Sequence, residues 1–378
     1  MALRNDIDPG GLLEYSVVFT DRSLNHMSLA FQQVMREIHA TLCEVHGAHR
    51  AVIVPGGGTY AMESVARQFA TGRKALVIRN GFFSYRWSQI FEAGAIPSSE
   101  IVLKARRQGD GPQDPFAPAS IGEVVETIRA ERPEMVFAPH VETASGMILP
   151  DDYVRAVADA AHEVGALFVL DCIASGAVWV DMREAGVDIL ISAPQKGWSA
   201  PPSAGLVMLT EEALDRCKAA QSTSFAMDLN RWNAIMEAYL GGGHAYHATM
   251  PTDALRAFHD AMMETRAVGF DALKAAQWEQ GLAVRAMLAR RGIRSVAAEG
   301  FQAPGVVVSY TDDPEIQSGK AFATQGLQIA AGVPLMIDEG PAYRSFRLGL
   351  FGLDKLTDVP AALDRLERAF DAVLPASA

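Results

Sequence analysis

The chain has 378 residues, more than a single typical domain, and its 49% apolar content is ample for a core. A formal net charge of −12 argues against nucleic acid and anionic membranes as main partners, and no apolar run approaches the roughly 20 residues of a membrane span. Cys43, Cys172 and Cys217 form neither a close pair nor a metal spacing, and the polar N-terminus MALRNDIDPG has no signal-peptide core, so a reducing cytoplasm is the expected location.

Residues 1–22 read as an arm. Leu29–Val45 places Phe31, Val34, Met35, Ile38 and Leu42 at helical spacing, a helix with one buried face. Ala51–Val54 is a β-run that breaks at Pro55-Gly56-Gly57-Gly58-Thr59 and opens a helix with Met62, Val65 and Phe69 along one face. Glycines there let backbone N–H groups approach an anion at a helix N-terminus, where the dipole favours phosphate. Gly56-x-Gly58-x-x-Ala61 also fits the dinucleotide fingerprint, which expects an acidic residue after the next strand. The next strand, Ala75–Ile78, ends in Arg79-Asn80 instead, which only an NADP enzyme could use. The segment NGFFSYRW (80–87) follows at once. An aromatic ring in it can lie over a flat cofactor, or be an ordinary core phenylalanine.

Gln113–Ser120 is a proline-rich connection, Ile121–Arg132 an amphipathic helix and Glu134–Pro139 a strand leading into HVETASGMILP. After a helix over Asp152–Val164, the short β-run Leu167–Leu170 ends on Asp171. Pyridoxal phosphate needs a protonated ring nitrogen to act as an electron sink, and a carboxylate against that nitrogen holds the proton. Ile173, two residues on, shares a face with Asp171 while the strand continues. A turn or N-cap aspartate is the competing fate. In VDILISAPQKGWSAPPSAGLVML (187–209), Pro194 and the Gly/Pro cluster put Lys196 in a loop between two buried strands. Burial lowers an amine's pKa, which suits a Schiff-base lysine, whereas a snorkelling surface lysine is the commoner outcome. These strand–helix units predict a mostly parallel sheet with its site at the strands' C-terminal ends.

Glu211–Ala220 and Met227–Leu240 read as helices before Gly241-Gly242-Gly243 breaks the chain. His244-x-x-His247 has a possible metal spacing, but nothing nearby completes a ligand set, so no metal is expected. Phe270–Arg291 is strongly helical. Val306–Tyr310, Gln328–Ala330 and Phe346–Leu350 read as strands of a smaller C-terminal domain, and Val359–Leu374 as its last helix. Within RSFRLGLFG, Arg347 sits in a strand, where it can hold a carboxylate bidentately or form a structural ion pair; Arg344 is its nearest competitor.

The Asp171 and Lys196 segments, with other motifs in the same order from His26-Met27-Ser28 to Arg347-Leu348-Gly349, resemble class V aminotransferases of the fold-type I pyridoxal-phosphate enzymes, among them the alanine–glyoxylate and serine–pyruvate aminotransferases. The resemblance implies an α/β fold: an arm (1–22), a large cofactor-binding domain with a mostly parallel sheet flanked by helices (23–265), and a small α+β domain (266–378). It implies that Gly57, Gly58 and Thr59 cradle the cofactor phosphate, that Phe83 stacks on the ring, and that Thr143 reaches the phosphate or phenolic oxygen. Ile173 and Gln195 are implied as further cofactor contacts, Asp171 as the partner of the pyridine nitrogen, and Lys196 as the Schiff-base lysine. Tyr246 and Thr249 match residues that reach the phosphate in a neighbouring subunit, which implies a homodimer with shared sites, and Arg347 matches the arginine that holds the substrate carboxylate. The family's usual Gly-Pro-rich opening is replaced here by DIDPGGLLEYSVVFTDRSLNHMS, which bears on substrate choice, not on cofactor use.

The implied reaction is transamination from a small amino acid (alanine, serine or aspartate) to glyoxylate or pyruvate, with Lys196 as general acid/base and ping-pong kinetics. A pyridoxal-phosphate lyase or an aminophosphonate transaminase shares every cofactor residue named. A cysteine desulfurase needs a reactive cysteine on a mobile loop, and Cys172, next to Asp171 in extended chain, points the other way. An NADP oxidoreductase or a non-enzymatic binding protein leaves Asp171, Lys196 and Arg347 together unexplained.

Overall fold

A computed structural model describes residues 6–374, so the first five residues of the expected arm and the last four of the chain lie outside it. Residues 6–28 form neither helix nor strand, and Leu12, Tyr15 and Val17 stand almost fully exposed. Helix α1, Leu29–His46, starts where the Ser28 side chain accepts from the Phe31 N–H (3.1 Å) and ends at Gly47, whose φ of +61° takes the left-handed cap. Its buried face carries the apolar residues that the spacing predicts.

Seven strands form the main sheet: β1 Arg50–Pro55, β2 Lys74–Arg79, β3 Ser99–Lys104, β4 Met135–Pro139, β5 Leu167–Asp171, β6 Ile189–Ser192 and β7 Ala204–Leu209. Their order is β1-β7-β6-β5-β4-β2-β3. Only β7 runs against its neighbours, and every other pairing is parallel. β4 to β7 are buried along their whole length, as expected of strands covered by helices on both faces. Trp87, Phe91 and Phe137 pack ring to ring on one face, with centroids 4.5–6.2 Å apart.

A second sheet of three antiparallel strands lies in the C-terminal part: β8 Val306–Tyr310, β9 Ala330–Ala331 and β10 Ser345–Gly349, in the order β8-β10-β9. Phe322, Phe346 and Phe370 close its core.

Two local expectations are corrected. The helix after β1 is α-helical only over α2, Gly58–Val65, and continues as a π turn, Ala66–Ala70. That turn carries the buried Gln68 amide to the carbonyls of Cys217 and Ala220 (3.1 and 3.0 Å), while Met62, Val65 and Phe69 stay in the core. The strand expected over Gln328–Ala330 is the two-residue edge strand β9 instead. The chain leaves the sheet at Gly332, where a Cβ would lie 1.8 Å from the Ser345 carbonyl oxygen. Among the described residues no helix is long and apolar enough to cross a membrane.

Candidate active site

The C-terminal ends of β1, β2, β4, β5 and β6 point to one edge of the sheet, because β1 and β6 both run opposite to the β7 between them. Their loops bring Gly58, Thr59, Phe83, Thr143, Asp171, Ile173, Gln195 and Lys196 around one cavity of about 200 Å³, joined by Arg86 and Met62. Gly57 is the N-cap of α2 beside it, with no side chain capping the helix.

Asp171 is the last residue of β5, held in register opposite Pro139 and Ile191. The His140 N–H donates to its carbonyl (2.8 Å). The strand stops there. The Ile173 N–H turns back to donate to Asp171 Oδ1 at 2.9 Å, so Ile173 reaches the cavity through an aspartate turn and not through continued strand alternation. It then packs so closely on α2 that a Cβ on Gly58 would sit 2.4 Å from Ile173 Cδ1, so any larger residue there would push the Ile173 side chain aside.

Burial pushes the Asp171 carboxyl up to about 7. Glu142 adds to the rise, and the Ile173 N–H, Arg86 and Lys196 oppose it. An unfolded aspartate ionises near 3.9, so holding the folded carboxylate costs nothing below about pH 4, costs more as pH rises, and is fully felt above 7. Asp171→Asn should therefore melt on the order of a few degrees higher than the parent when both are cofactor-free at pH 8, and the gain should shrink toward pH 5. Identical melting temperatures at pH 8 would remove the buried-carboxylate account.

Lys196 rides on a tightly built loop. The Ser199 N–H donates to the Lys196 carbonyl (3.2 Å) with Ser199 at φ +56°, and Leu353 N–H donates to Ser199 Oγ (3.1 Å). Gly197 passes so near the Gly176 carbonyl that a Cβ would lie 2.1 Å from it. Trp198 locks the loop into a cluster with Trp179, Phe258 and Phe270. The ammonium lies 5.3 Å from the centre of the Phe351 ring, and among the described residues no carboxylate pairs with it. Burial and then the Arg347 charge lower its pKa, against a smaller opposing pull from Asp171.

Glu142 was not singled out in the sequence, yet it holds this edge together. It is fully buried, and its carboxylate accepts from Phe83 N–H (3.1 Å), Ser84 N–H (2.8 Å), Ser84 Oγ (2.6 Å) and Ala144 N–H (2.9 Å). One side chain thus ties the start of α3, Phe82–Gly94, to the turn bearing Thr143. No local pattern in the sequence marks it, because the N–H groups it satisfies on α3 lie 58 or more residues away.

Arg347, on β10, lies outside this cavity's lining but over the Phe83 ring (5.6 Å). Its Nε–H donates to the Ala331 carbonyl (2.8 Å), and among the described residues no carboxylate forms an ion pair with it. Arg344 points away, exposed, toward the Asp312 carbonyl. Tyr246 and Thr249 are also apart from the cavity: they bond each other (3.2 Å) on an exposed loop. His247 bonds the Phe225 carbonyl (2.9 Å) and His244 packs edge-on against His26; no metal-ligand group occurs among the described residues. Arg79 is buried under α3, donating to Ser88 Oγ (2.6 Å) and stacked on Tyr85, so it does not present itself to a ribose phosphate. Cys172 is buried in the main core, and burial pushes its thiol up, which makes it a poor nucleophile.

A phosphorylated pyridine aldehyde fits these residues. A buried carboxylate, a lysine without an acidic partner, a flat apolar wall and an uncapped helix N-terminus meet within one small cavity. Together with the sheet topology they define a fold-type I pyridoxal-phosphate transferase. The model of the family described as aminotransferase class-V matches residues 13–297, and the chain belongs to that family. It is a pyridoxal-phosphate-dependent aminotransferase. The chain is 27% identical to a 2-aminoethylphosphonate–pyruvate transaminase of Paraburkholderia phymatum over 347 residues, 89% of this chain and 88% of the relative. An alanine–glyoxylate aminotransferase from Nostoc sp. superposes with a TM-score of 0.79 at 22% identity, covering 93% of this chain and 89% of the other. An aspartate aminotransferase from Thermus thermophilus gives 0.74 at 25% identity, covering 93% and 94%.

Proposed function

We propose that the enzyme moves an amino group from a small primary amine that carries an anionic group to a small 2-oxo acid such as glyoxylate or pyruvate, by ping-pong turnover. The observation that carries this reading is Arg347, whose Nε is fixed on the Ala331 carbonyl while its guanidinium has no acidic partner among the described residues. A half-buried guanidinium without a carboxylate is suited to an anionic ligand. An amino acid, alanine, serine or aspartate, is the first choice of donor. The Paraburkholderia relative's name favours a second, 2-aminoethylphosphonate, which also presents an anion beside its amine.

When bound, pyridoxal phosphate supplies an aldehyde carbon that reacts with amines and a protonated ring that draws electron density from the substrate's α-carbon. The chain's residues do the rest. Gly57, Gly58 and Thr59 would hold the cofactor's phosphate at the start of α2, Thr143 and Gln195 would hold its oxygen atoms, and Phe83 and Ile173 would pack against its ring. Asp171 would hold the proton on its ring nitrogen. Lys196 would hold the cofactor's aldehyde carbon, and its Nζ would move the α-proton; burial and the Arg347 charge lower its pKa, which favours the neutral amine this needs. Arg347 fixes the donor so that the α-hydrogen faces Lys196.

A homodimer in the cytoplasm belongs to this reading, as does the division at residues 22/23 and 265/266. Exposed Leu12, Tyr15 and Val17 on the arm, and exposed Tyr246 with Thr249, supply the surfaces by which a second copy completes each site; sedimentation as a monomer at micromolar concentration would remove the dimer. The substrate reading is tested with alanine, serine, aspartate and 2-aminoethylphosphonate, each against glyoxylate, pyruvate and 2-oxoglutarate. Oxo-acid formation from at least one amino acid is expected. Turnover of the aminophosphonate alone selects the second donor, and elimination without transfer to any acceptor would replace transamination with lyase chemistry.

A further inference from the structure

The guanidinium of Arg86 sits where elementary electrostatics disfavours it. Arg86 is on α3, one turn beyond Phe83, and its side chain crosses the Phe83 ring (5.2 Å to the centroid) to reach the first turn of α2. There Nη1 donates to Thr59 Oγ1 at 2.9 Å. The N-terminus of a helix carries the positive end of the backbone dipole, so a cation is normally repelled from it. Among the described residues no carboxylate forms an ion pair with Arg86 to offset this. An anion between the guanidinium and the helix end reverses the sign of both interactions.

We infer that Arg86 is a binding residue for the cofactor's phosphate, the charged member of a cradle otherwise made of Gly58 and Thr59. This rests on the proposed placement of the phosphate at α2. The hydrogen-bond directions agree with it. Because Thr59 Oγ1 accepts from Arg86, its own O–H is free to donate to an anion, and Gly57 leaves the first N–H groups of α2 without a side-chain cap. The same guanidinium passes over the Phe83 ring on its way to α2.

The test compares pyridoxal phosphate with pyridoxal, which differ only in the phosphate, by absorbance titration of the cofactor-free protein. Wild type should prefer the phosphorylated form strongly. Arg86→Met and Arg86→Gln should lose about ten- to a hundredfold in affinity for pyridoxal phosphate and less than about twofold for pyridoxal, with Arg86→Lys between. Equal weakening of both ligands marks a merely structural arginine and overturns the assignment, as does unchanged affinity for pyridoxal phosphate. If wild type itself binds the two forms equally, the phosphate cradle at α2 falls, and with it the reading on which Arg86 depends. A measurement on wild type covers variants that fail to fold. Phenylglyoxal labelling of Arg86, mapped by mass spectrometry, should be blocked by pyridoxal phosphate and not by pyridoxal, and equal labelling in the presence of either would overturn the inference.

Discussion

Lys196→Ala should fold, bind pyridoxal phosphate without a covalent bond, and lose at least about a thousandfold in the rate of amino-group transfer. Folding is preserved because the ammonium makes no ion pair with the described residues, and its loop is held by other means: the buried Trp198, the close pass of Gly197 over Gly176, and the Ser199 hydrogen bonds. The rate falls for two reasons. A side chain that moves a proton in the transition state contributes on its own about 10²–10⁴, and the covalent attachment that presents the cofactor to the incoming amine is lost as well. Borohydride treatment should fix the cofactor to Lys196 in the parent and to nothing in the variant. A stable adduct on another lysine, or a variant that keeps more than a tenth of the parent rate, would move the role elsewhere. Small exogenous amines should restore part of the rate, since the vacated space adjoins the cavity beside Phe351.

Arg347→Ala should retain the cofactor spectrum and lose about 2–5 kcal/mol of donor recognition, tens- to thousandsfold in kcat/KM. Arg347→Lys should recover only a fraction, because an ammonium cannot reproduce a planar fork. A second readout separates this role from a structural one. The Arg347 charge is, after burial, the largest influence lowering the Lys196 pKa. Removing it raises that pKa toward the ordinary value near 10.4, so the pH limb that reports neutral Lys196 should move to higher pH. Arg347→Ala with full activity toward every amino acid and toward 2-aminoethylphosphonate would end the anion-grip assignment, and an unmoved pH limb would end its coupling to Lys196.

Most of the fold is legible because apolar runs are bounded by strong breakers. Leu167–Asp171 lies between Gly165 and the turn at Ile173, and Ile189–Ser192 stops before Pro194, so strand ends and site residues coincide. What escaped reading depends on contacts far apart in sequence. The π turn at Ala66–Ala70 accompanies an amide reaching residues 217 and 220, and β9 ends where Gly332 comes close to the Ser345 carbonyl. Glu142 and Arg86 were invisible as site residues for the same reason. The acceptor of one sequence segment and the donors of another, 58 residues apart, have no local pattern, and an arginine on a helix surface looks like any other until the opposing helix end is in view.

Asp171 ends a strand of the seven-stranded sheet and Lys196 follows another, whereas Arg347 is anchored in the three-stranded sheet and approaches the site only over the Phe83 ring. The consequence is evolutionary. If Arg347 grips the donor's anion, changes that shift β10 by a fraction of an ångström alter which anion fits, and at what distance from the amine, while Asp171 at the end of β5 stays where it is. Donor preference can therefore drift quickly while the chemistry stays fixed, and laboratory selection for new amines should concentrate accepted substitutions around β8, β10 and the arm, leaving the ends of β5 and β6 unchanged.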